Sequence, residues 1–261
     1  MGYDLTGKRV LVTGASSGIG AALAVGFARR GATVGICARR QAGLDTTLAA
    51  VREVAPDSRA WSVDLADLEG IAAFAARVVD ELGGVDVLVN NAGIPKRRGL
   101  TDLDPETVEA VMSINYFSPV RLTLALLPEL IARSGRIVTI SSVAARLSPP
   151  HEGAYGASKS AISTFMECAH IDLALAGHDV RVLLVNPGVI DTELFHLPDN
   201  EPSMAPLDAL PVEAIVEPVL GALEADTREI FVPEWFQEIA AGKAGDVGAF
   251  LDGSIAWARG L

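Results

Sequence analysis

Seven short apolar runs recur along the chain: RVLVTG (9–14), TVGICA (33–38), AWSVDL (60–65), VDVLVNNAG (85–93), GRIVTISS (135–142), VRVLLVNPG (180–188) and EIFVPEW (229–235). Each is continuous rather than alternating, the pattern of strands covered on both faces by helices. Between them, the stretches near 18–30, 42–55, 67–82, 104–133, 154–177 and 211–225 read as helices. Strand–helix alternation of this kind predicts right-handed crossovers and a parallel sheet. The expected fold is α/β, a doubly wound parallel sheet of about seven strands flanked by helices, with residues 1–261 forming a single domain. One long irregular stretch interrupts the alternation, DTELFHLPDNEPSMAPLDAL from Asp191 to Leu210. Its three prolines exclude one uninterrupted helix. A loop of that length in a compact domain suggests a lid, over about 191–215, with a C-terminal extension at 236–261.

Half of the 261 residues are apolar, enough for a large core, and the net charge is −12. That charge argues against nucleic-acid binding and against adhesion to anionic membranes, both of which need basic patches. Cys37 and Cys168 lie in apolar contexts without metal-ligand spacing and are expected to be buried free thiols, with no metal site. No signal-peptide core precedes the first strand, and no run of 18 apolar residues stands out. The expectation is a cytoplasmic protein with neither nucleic-acid nor membrane partners.

Chemistry enters at two places. In HEGAYGASKS (151–160), Tyr155 and Lys159 stand four apart in a chain with only three tyrosines and four lysines. On a helix that spacing puts both side chains on one face, where an ammonium favours phenolate and makes tyrosine a usable proton donor or acceptor. In TGASSGIG (13–20), Gly14, Gly18 and Gly20 sit between a strand and a helix, with Ser16, Ser17 and Ile19 among them. Such glycines let the backbone approach a phosphate while the helix N-terminus offers free N–H groups to it.

The G-x-x-x-G-x-G spacing, NNAG at 90–93, Ser142 thirteen residues before Tyr155, YGASK, and NPGVIDT at 186–192 together resemble the short-chain dehydrogenase/reductase family, from about residue 7 to 235. The resemblance implies a Rossmann fold and hydride transfer between a nicotinamide cofactor and a carbonyl or secondary alcohol. It implies a catalytic set of Asn115, Ser142, Tyr155 and Lys159. Ser142 would hold the substrate oxygen, Tyr155 would exchange its proton, Lys159 would favour phenolate and bind the nicotinamide ribose, and Asn115 would distort a long helix and link a water to the lysine. Cofactor contacts would come from the glycine turn, Asp64 and Leu65, Asn91, Ala92 and Gly93, Tyr155 and Lys159, and Pro187, Gly188, Ile190 and Thr192. The family also implies a homodimer or homotetramer built on the helices near 104–133 and 154–177.

An NAD-preferring site needs a carboxylate at the end of the second strand. Here the chain reads ICARR, with Ala38 at that position followed by Arg39 and Arg40, so NADP(H) is expected, with Arg39 the better partner for its extra phosphate. The substrate is expected to be a small molecule, a hydrophobic ketone, because the lid has many apolar members (Leu194, Phe195, Leu197, Met204, Ala205, Leu207 and Leu210) and its charged ones, Glu193, Asp199, Glu201 and Asp208, are all acidic. Two alternatives remain. A 3-oxoacyl-carrier-protein reductase would use Lys96, Arg97 and Arg98 as a basic rim, although an ordinary solvated loop is the simpler expectation there. A non-catalytic dinucleotide sensor would have lost the acid–base residues, which this chain keeps. His151 is expected to line the substrate entrance without a required role, while Trp235 and Trp257 read as packing or subunit-contact anchors rather than chemistry.

Overall fold

The structure, a computed structural model, describes residues 2–193, 197, 199–201 and 208–260. The apolar runs form strands β1 (Arg9–Thr13), β2 (Thr33–Ala38), β3 (Arg59–Ser62), β4 (Val87–Asn90), β5 (Arg136–Ile140), β6 (Arg181–Pro187) and β7 (Glu229–Val232). They make one sheet in the order β3-β2-β1-β4-β5-β6-β7. Every neighbouring pair is parallel, with Val12 opposite Ile36 on one side and Val89 on the other. The chain runs outward from β1 through β2 to β3, then returns to place β4 on the other side of β1. That reversal opens a crevice at the carboxyl ends of the strands, where open α/β sheets bind ligands.

Helices α1 (Gly18–Arg29), α2 (Gln41–Arg52), α3 (Ile71–Leu82), α4 (Pro105–Met112), α5 (Ser118–Ala132), α6 (Ala144–Leu147), α7 (Gly153–Leu175), α8 (Val216–Glu224), α9 (Phe236–Gly245) and α10 (Val247–Arg259) surround the sheet. Alternate strand residues explain the continuous apolar runs. Val10 and Val12 join Leu23, Phe27, Leu44 and Leu220 on one face. Leu11, between them, joins Leu88, Leu122, Ile137 and Ile162 on the other. Both faces are closed, so neither position tolerates a polar side chain.

One sequence expectation needs correction, the burial of Cys168, and three other segments gain a definite form. Pro105–Ala132 is long and apolar enough, by length and composition only, to cross a membrane. Scattered polar residues break every purely apolar run in it, and Leu122, Leu126 and Leu130 within it are buried against the sheet side. Cys37 is buried as expected, but Cys168 is exposed. Ile162, Met166 and Leu173 hold the inner face of α7, and the helical period turns Cys168 outward. The C-terminal extension folds as two helices, α9 and α10, the second capped by the Asp246 carboxylate accepting from the Ala249 N–H at 2.9 Å. The loop expected as a lid is pinned at both ends, where Asp191 donates its N–H to the Leu210 carbonyl and Leu210 its own to Val189 (2.8 and 2.9 Å). Of its apolar members Leu194, Phe195, Met204, Ala205 and Leu207, and of its prolines Pro198, Pro202 and Pro206, all lie outside the described residues.

Candidate active site

A cavity of about 600 Å³ occupies the crevice, bounded by the segments that leave β1 to β6 and by α7, α9 and α10. Gly14, Ser16, Ser17, Gly18, Ile19, Asp64, Leu65, Asn91, Ala92, Gly93, Ser142, Tyr155, Lys159, Pro187, Gly188, Ile190 and Thr192 all line it, as do Arg39 and Arg40. Gly20 and Asn115 stand behind the wall and shape it.

The glycine turn has the geometry its residue types allow. Gly14 has φ +67°, and a Cβ there would lie 2.8 Å from the Ala92 Cα. A Cβ on Gly20 would lie 2.6 Å from the Gly14 carbonyl oxygen. Thr13 and Asn91 lock this turn to the segment after β4. The Thr13 hydroxyl accepts from the N–H groups of Asn91 and Ala92 (2.9 and 3.0 Å) and donates to the Val89 carbonyl (3.1 Å). The Asn91 amide donates to the carbonyls of Thr13 and Gly14 (2.8 and 3.2 Å). Asn91 therefore has a structural duty that its motif alone did not reveal. Helix α1 starts at Gly18, directing its first-turn N–H groups to the cavity.

Arg39 and Arg40 differ. Arg40 donates to the Ser17 hydroxyl at 2.7 Å and pairs with Glu193 at 2.6 Å, bridging the glycine turn and the segment after β6. That contact holds the Glu193 carboxyl below its usual range. Arg39 is exposed at the cavity edge and, among the described residues, its guanidinium makes no ion pair.

At the other end, Ser142 follows β5 and its hydroxyl accepts from the Ala144 N–H at 3.1 Å. Tyr155 and Lys159 come from the first turns of α7, and the Lys159 Nζ lies 5.7 Å from the centre of the Tyr155 ring. The ammonium donates to the Ile140 carbonyl at 2.8 Å. Burial alone lowers its pKa to about 8. The phenol moves the other way. Burial first and the Glu152 charge second raise its pKa, against a Ser142 hydrogen bond and the Arg97 charge. The sequence reading expected Lys159 to make phenolate accessible; in the chain by itself, desolvation wins.

Asn115 sits within a π-helical turn, Ser113–Phe117, between α4 and α5. Its side chain accepts from the Ile94 N–H and donates to the Ile94 carbonyl and the Ser158 hydroxyl, all at 2.9 Å. Ser158 in turn donates to the Tyr155 carbonyl at 2.7 Å. The distortion of a long helix is present, and its use here is to tie the segment after β4 to the first turns of α7.

Several contributors were missed. The Lys96–Arg98 loop is not a solvated basic rim: Arg97 is buried and Lys96 pairs with Asp199. Trp257 lines the cavity with Phe250 and Ser254, one face of α10 at helical spacing. Trp235 instead stacks on Phe236, ring centres 3.9 Å apart. Among the described residues no group of His, Cys, Asp and Glu could hold a metal.

The residues present suit a phosphate-bearing dinucleotide: a cradle that a Cβ would fill at Gly14, a helix N-terminus and an unpaired guanidinium at one end. At the other end the Lys159 ammonium has three donors and uses one on Ile140. Fold and site define a doubly wound α/β protein with its cavity at the carboxyl ends of the strands. Residues 8–201 match the short chain dehydrogenase family, and the chain belongs to it. It is similar to Dehydrogenase/reductase SDR family member 7B of Bos taurus, 40% identical over 192 residues, covering 71% of this chain and 58% of the relative. The chain thus matches little more than half the length of that relative. A short chain dehydrogenase from Burkholderia cenocepacia J2315, in complex with NADP, superposes with TM-score 0.79 at 32% identity, covering 95% of this chain and 97% of that one. A short chain dehydrogenase/reductase from Burkholderia phymatum, in complex with NAD, shares the fold at TM-score 0.85 and 22% identity, over 94% and 95% of the two chains.

Proposed function

We propose that the protein is an NADP(H)-dependent oxidoreductase acting between a carbonyl and a secondary alcohol on a predominantly apolar small molecule. The observation that carries this reading is the shared cavity. Ser142, Tyr155 and Lys159 meet at one end of it, and the glycine turn with Arg39 lies at the other.

Gly14, the first turn of α1, Asp64, Asn91–Gly93, Thr192 and Lys159 would hold the cofactor, with Arg39 on the phosphate that distinguishes NADP from NAD. A bound nicotinamide cofactor supplies or takes up the hydride. The Ser142 hydroxyl donates to the substrate oxygen and holds it beside Tyr155. Tyr155 gives its phenolic proton to that oxygen in reduction and takes it back in oxidation. Lys159, fixed by Ile140, keeps a positive charge beside the phenol, which favours the phenolate left behind. Asn115 acts through Ile94 and Ser158, positioning the segments that carry the other groups. The apolar wall of Ile94, Leu147, Val189, Leu197, Phe236 and Phe250 supports an apolar substrate body.

The carrier-protein alternative is the weaker reading, since two of its three cations, Lys96 and Arg97, are engaged with residues 199–201. The test is NADPH consumption with a panel of ketones, scored against Tyr155→Phe. Turnover that needs the phenol supports the proposal, and cofactor binding without turnover of any carbonyl or alcohol returns the protein to the sensor class.

A further inference from the structure

One charged side chain at the substrate end has no part in the chemistry above. Glu152 is the residue just before α7, three positions before Tyr155; both line the same cavity, and the Glu152 charge acts on the phenol. It is half-buried and lines the cavity. Among the described residues its carboxylate makes neither a hydrogen bond nor an ion pair. The charge that acts on it is that of Arg97, which together with Glu152 also acts on Tyr155 and whose Nε is committed to the Glu201 carbonyl at 2.8 Å. Desolvation by the surrounding walls raises the carboxyl's pKa to about 7.

A carboxyl held in an apolar pocket without a partner is unfavourable unless something in the bound state satisfies it. Arg97 and Lys159 already place positive charge around this end, so an ammonium on the substrate would be repelled by both. A neutral donor satisfies the carboxyl without adding charge. We propose that Glu152 is a specificity-determining residue that accepts a hydrogen bond from a substrate hydroxyl close to the reacting carbon. The substrate class is then an apolar hydroxyketone and the corresponding diol. With Tyr155 on the reacting oxygen, a hydroxyl on the adjacent carbon lies within reach of Glu152. This deepens the oxidoreductase reading and rests on it.

The experiment uses the full chain with NADPH and pairs of ketones that differ only in an α-hydroxyl. Wild-type protein is expected to prefer the hydroxylated member in kcat/KM by about tenfold or more, as sites built to bind a hydroxyl do. Glu152→Leu should bring that ratio close to one. Glu152→Gln, which keeps an acceptor oxygen, should retain part of it. Nicotinamide fluorescence on NADPH binding reports that each variant is folded. A wild-type ratio of one or less overturns the proposal, as does an unchanged ratio in Glu152→Leu or a preference for the matching aminoketone. Reduction of plain ketones without that preference overturns this inference alone. Failure to reduce any carbonyl overturns the oxidoreductase reading with it.

Discussion

The Lys159 ammonium is bonded to the Ile140 carbonyl at 2.8 Å, while the centre of the Tyr155 ring lies 5.7 Å away. The cation is thus anchored by strand β5, and its influence on the phenol is through space. Anchoring it there takes it out of water.

That burial should be visible in stability. The Lys159 pKa falls from an ordinary 10.5 to about 8 in the folded chain. Between those values the unfolded chain takes up the proton first, so stability declines as pH falls from 10.5 to 8 and then levels off. The accumulated loss near neutral pH is of order 3 kcal/mol. Lys159→Met should therefore unfold at higher urea than the parent at pH 7, and the gain should shrink steadily toward pH 10.5. Turnover should be lost in the same variant. Parallel urea titrations at several pH values check the sign.

Tyr155→Phe keeps the ring and removes the proton. Turnover should fall at least about a hundredfold while NADPH binding is kept, the low end of what a positioned acid contributes. The Glu152 charge raises the phenol's pKa, so Glu152→Gln should move the pH profile of alcohol oxidation toward lower pH. The pH dependence of kcat/KM in the two proteins measures that displacement.

Arg39→Asp should raise the KM for NADPH far more than that for NADH, because it replaces the proposed phosphate partner with a group suited to a ribose hydroxyl. Arg40→Asp should act differently. Arg40 is tied to Ser17 and Glu193, so its loss loosens the cavity edge for both cofactors. Initial rates with each cofactor separate the two arginines.

Exposed apolar side chains on the helices that the sequence reading assigned to subunit contact are Phe117 and Leu124 near α5 and Ile171 and Leu175 on α7. Such side chains would suit contact between copies of the chain if they form one contiguous patch. Sedimentation should show a dimer or tetramer, and Leu124→Glu combined with Ile171→Glu should lower the assembly state while NADPH binding remains.

What could be read from residues alone divides by the range of the interaction. The seven strands were legible because β-rich runs such as RVLVT are buried on both sides whatever surrounds them. Gly14 and Gly20 were legible because only glycine fits where a Cβ would meet Ala92 or the Gly14 carbonyl. Helix α10 carries a readable apolar face, Phe250, Ser254 and Trp257, but periodicity does not say which cavity that face closes. Glu152 was illegible as a site group, and Arg97 as a buried one, for the same reason. Their roles depend on which distant segment covers them, and charged residues in loops are ordinarily solvated.

The Lys96–Arg98 loop gives the sharpest reversal, and its test separates two physical pictures. A basic rim would act by attracting anionic or carrier-borne substrates, so its removal would leave neutral ketones untouched. The structure instead shows a clasp. Arg97 donates its N–H to the Asn200 side chain at 2.8 Å and its Nε to the Glu201 carbonyl at 2.8 Å, and Glu201 returns its N–H to the Arg97 carbonyl at 3.1 Å. Lys96 pairs with Asp199, and the Glu201 carboxylate meets the Gly99 N–H at 3.2 Å and the His151 Nδ1 at 2.6 Å. His151 itself adopts φ +63°, beside Glu152 at the start of α7. The clasp joins the segment at 199–201 to the turn that delivers Tyr155. Lys96→Ala removes one exposed pair, worth at most about 1 kcal/mol, and should change KM only a few-fold. Arg97→Ala removes a buried cation and its Nε anchor to the Glu201 carbonyl, and should raise the substrate KM by about tenfold, a loss of roughly 1.4 kcal/mol. The rise should be equal for a neutral ketone and an anionic one, with the KM for NADPH much less affected. A loss confined to anionic substrates would restore the electrostatic rim and remove the clasp.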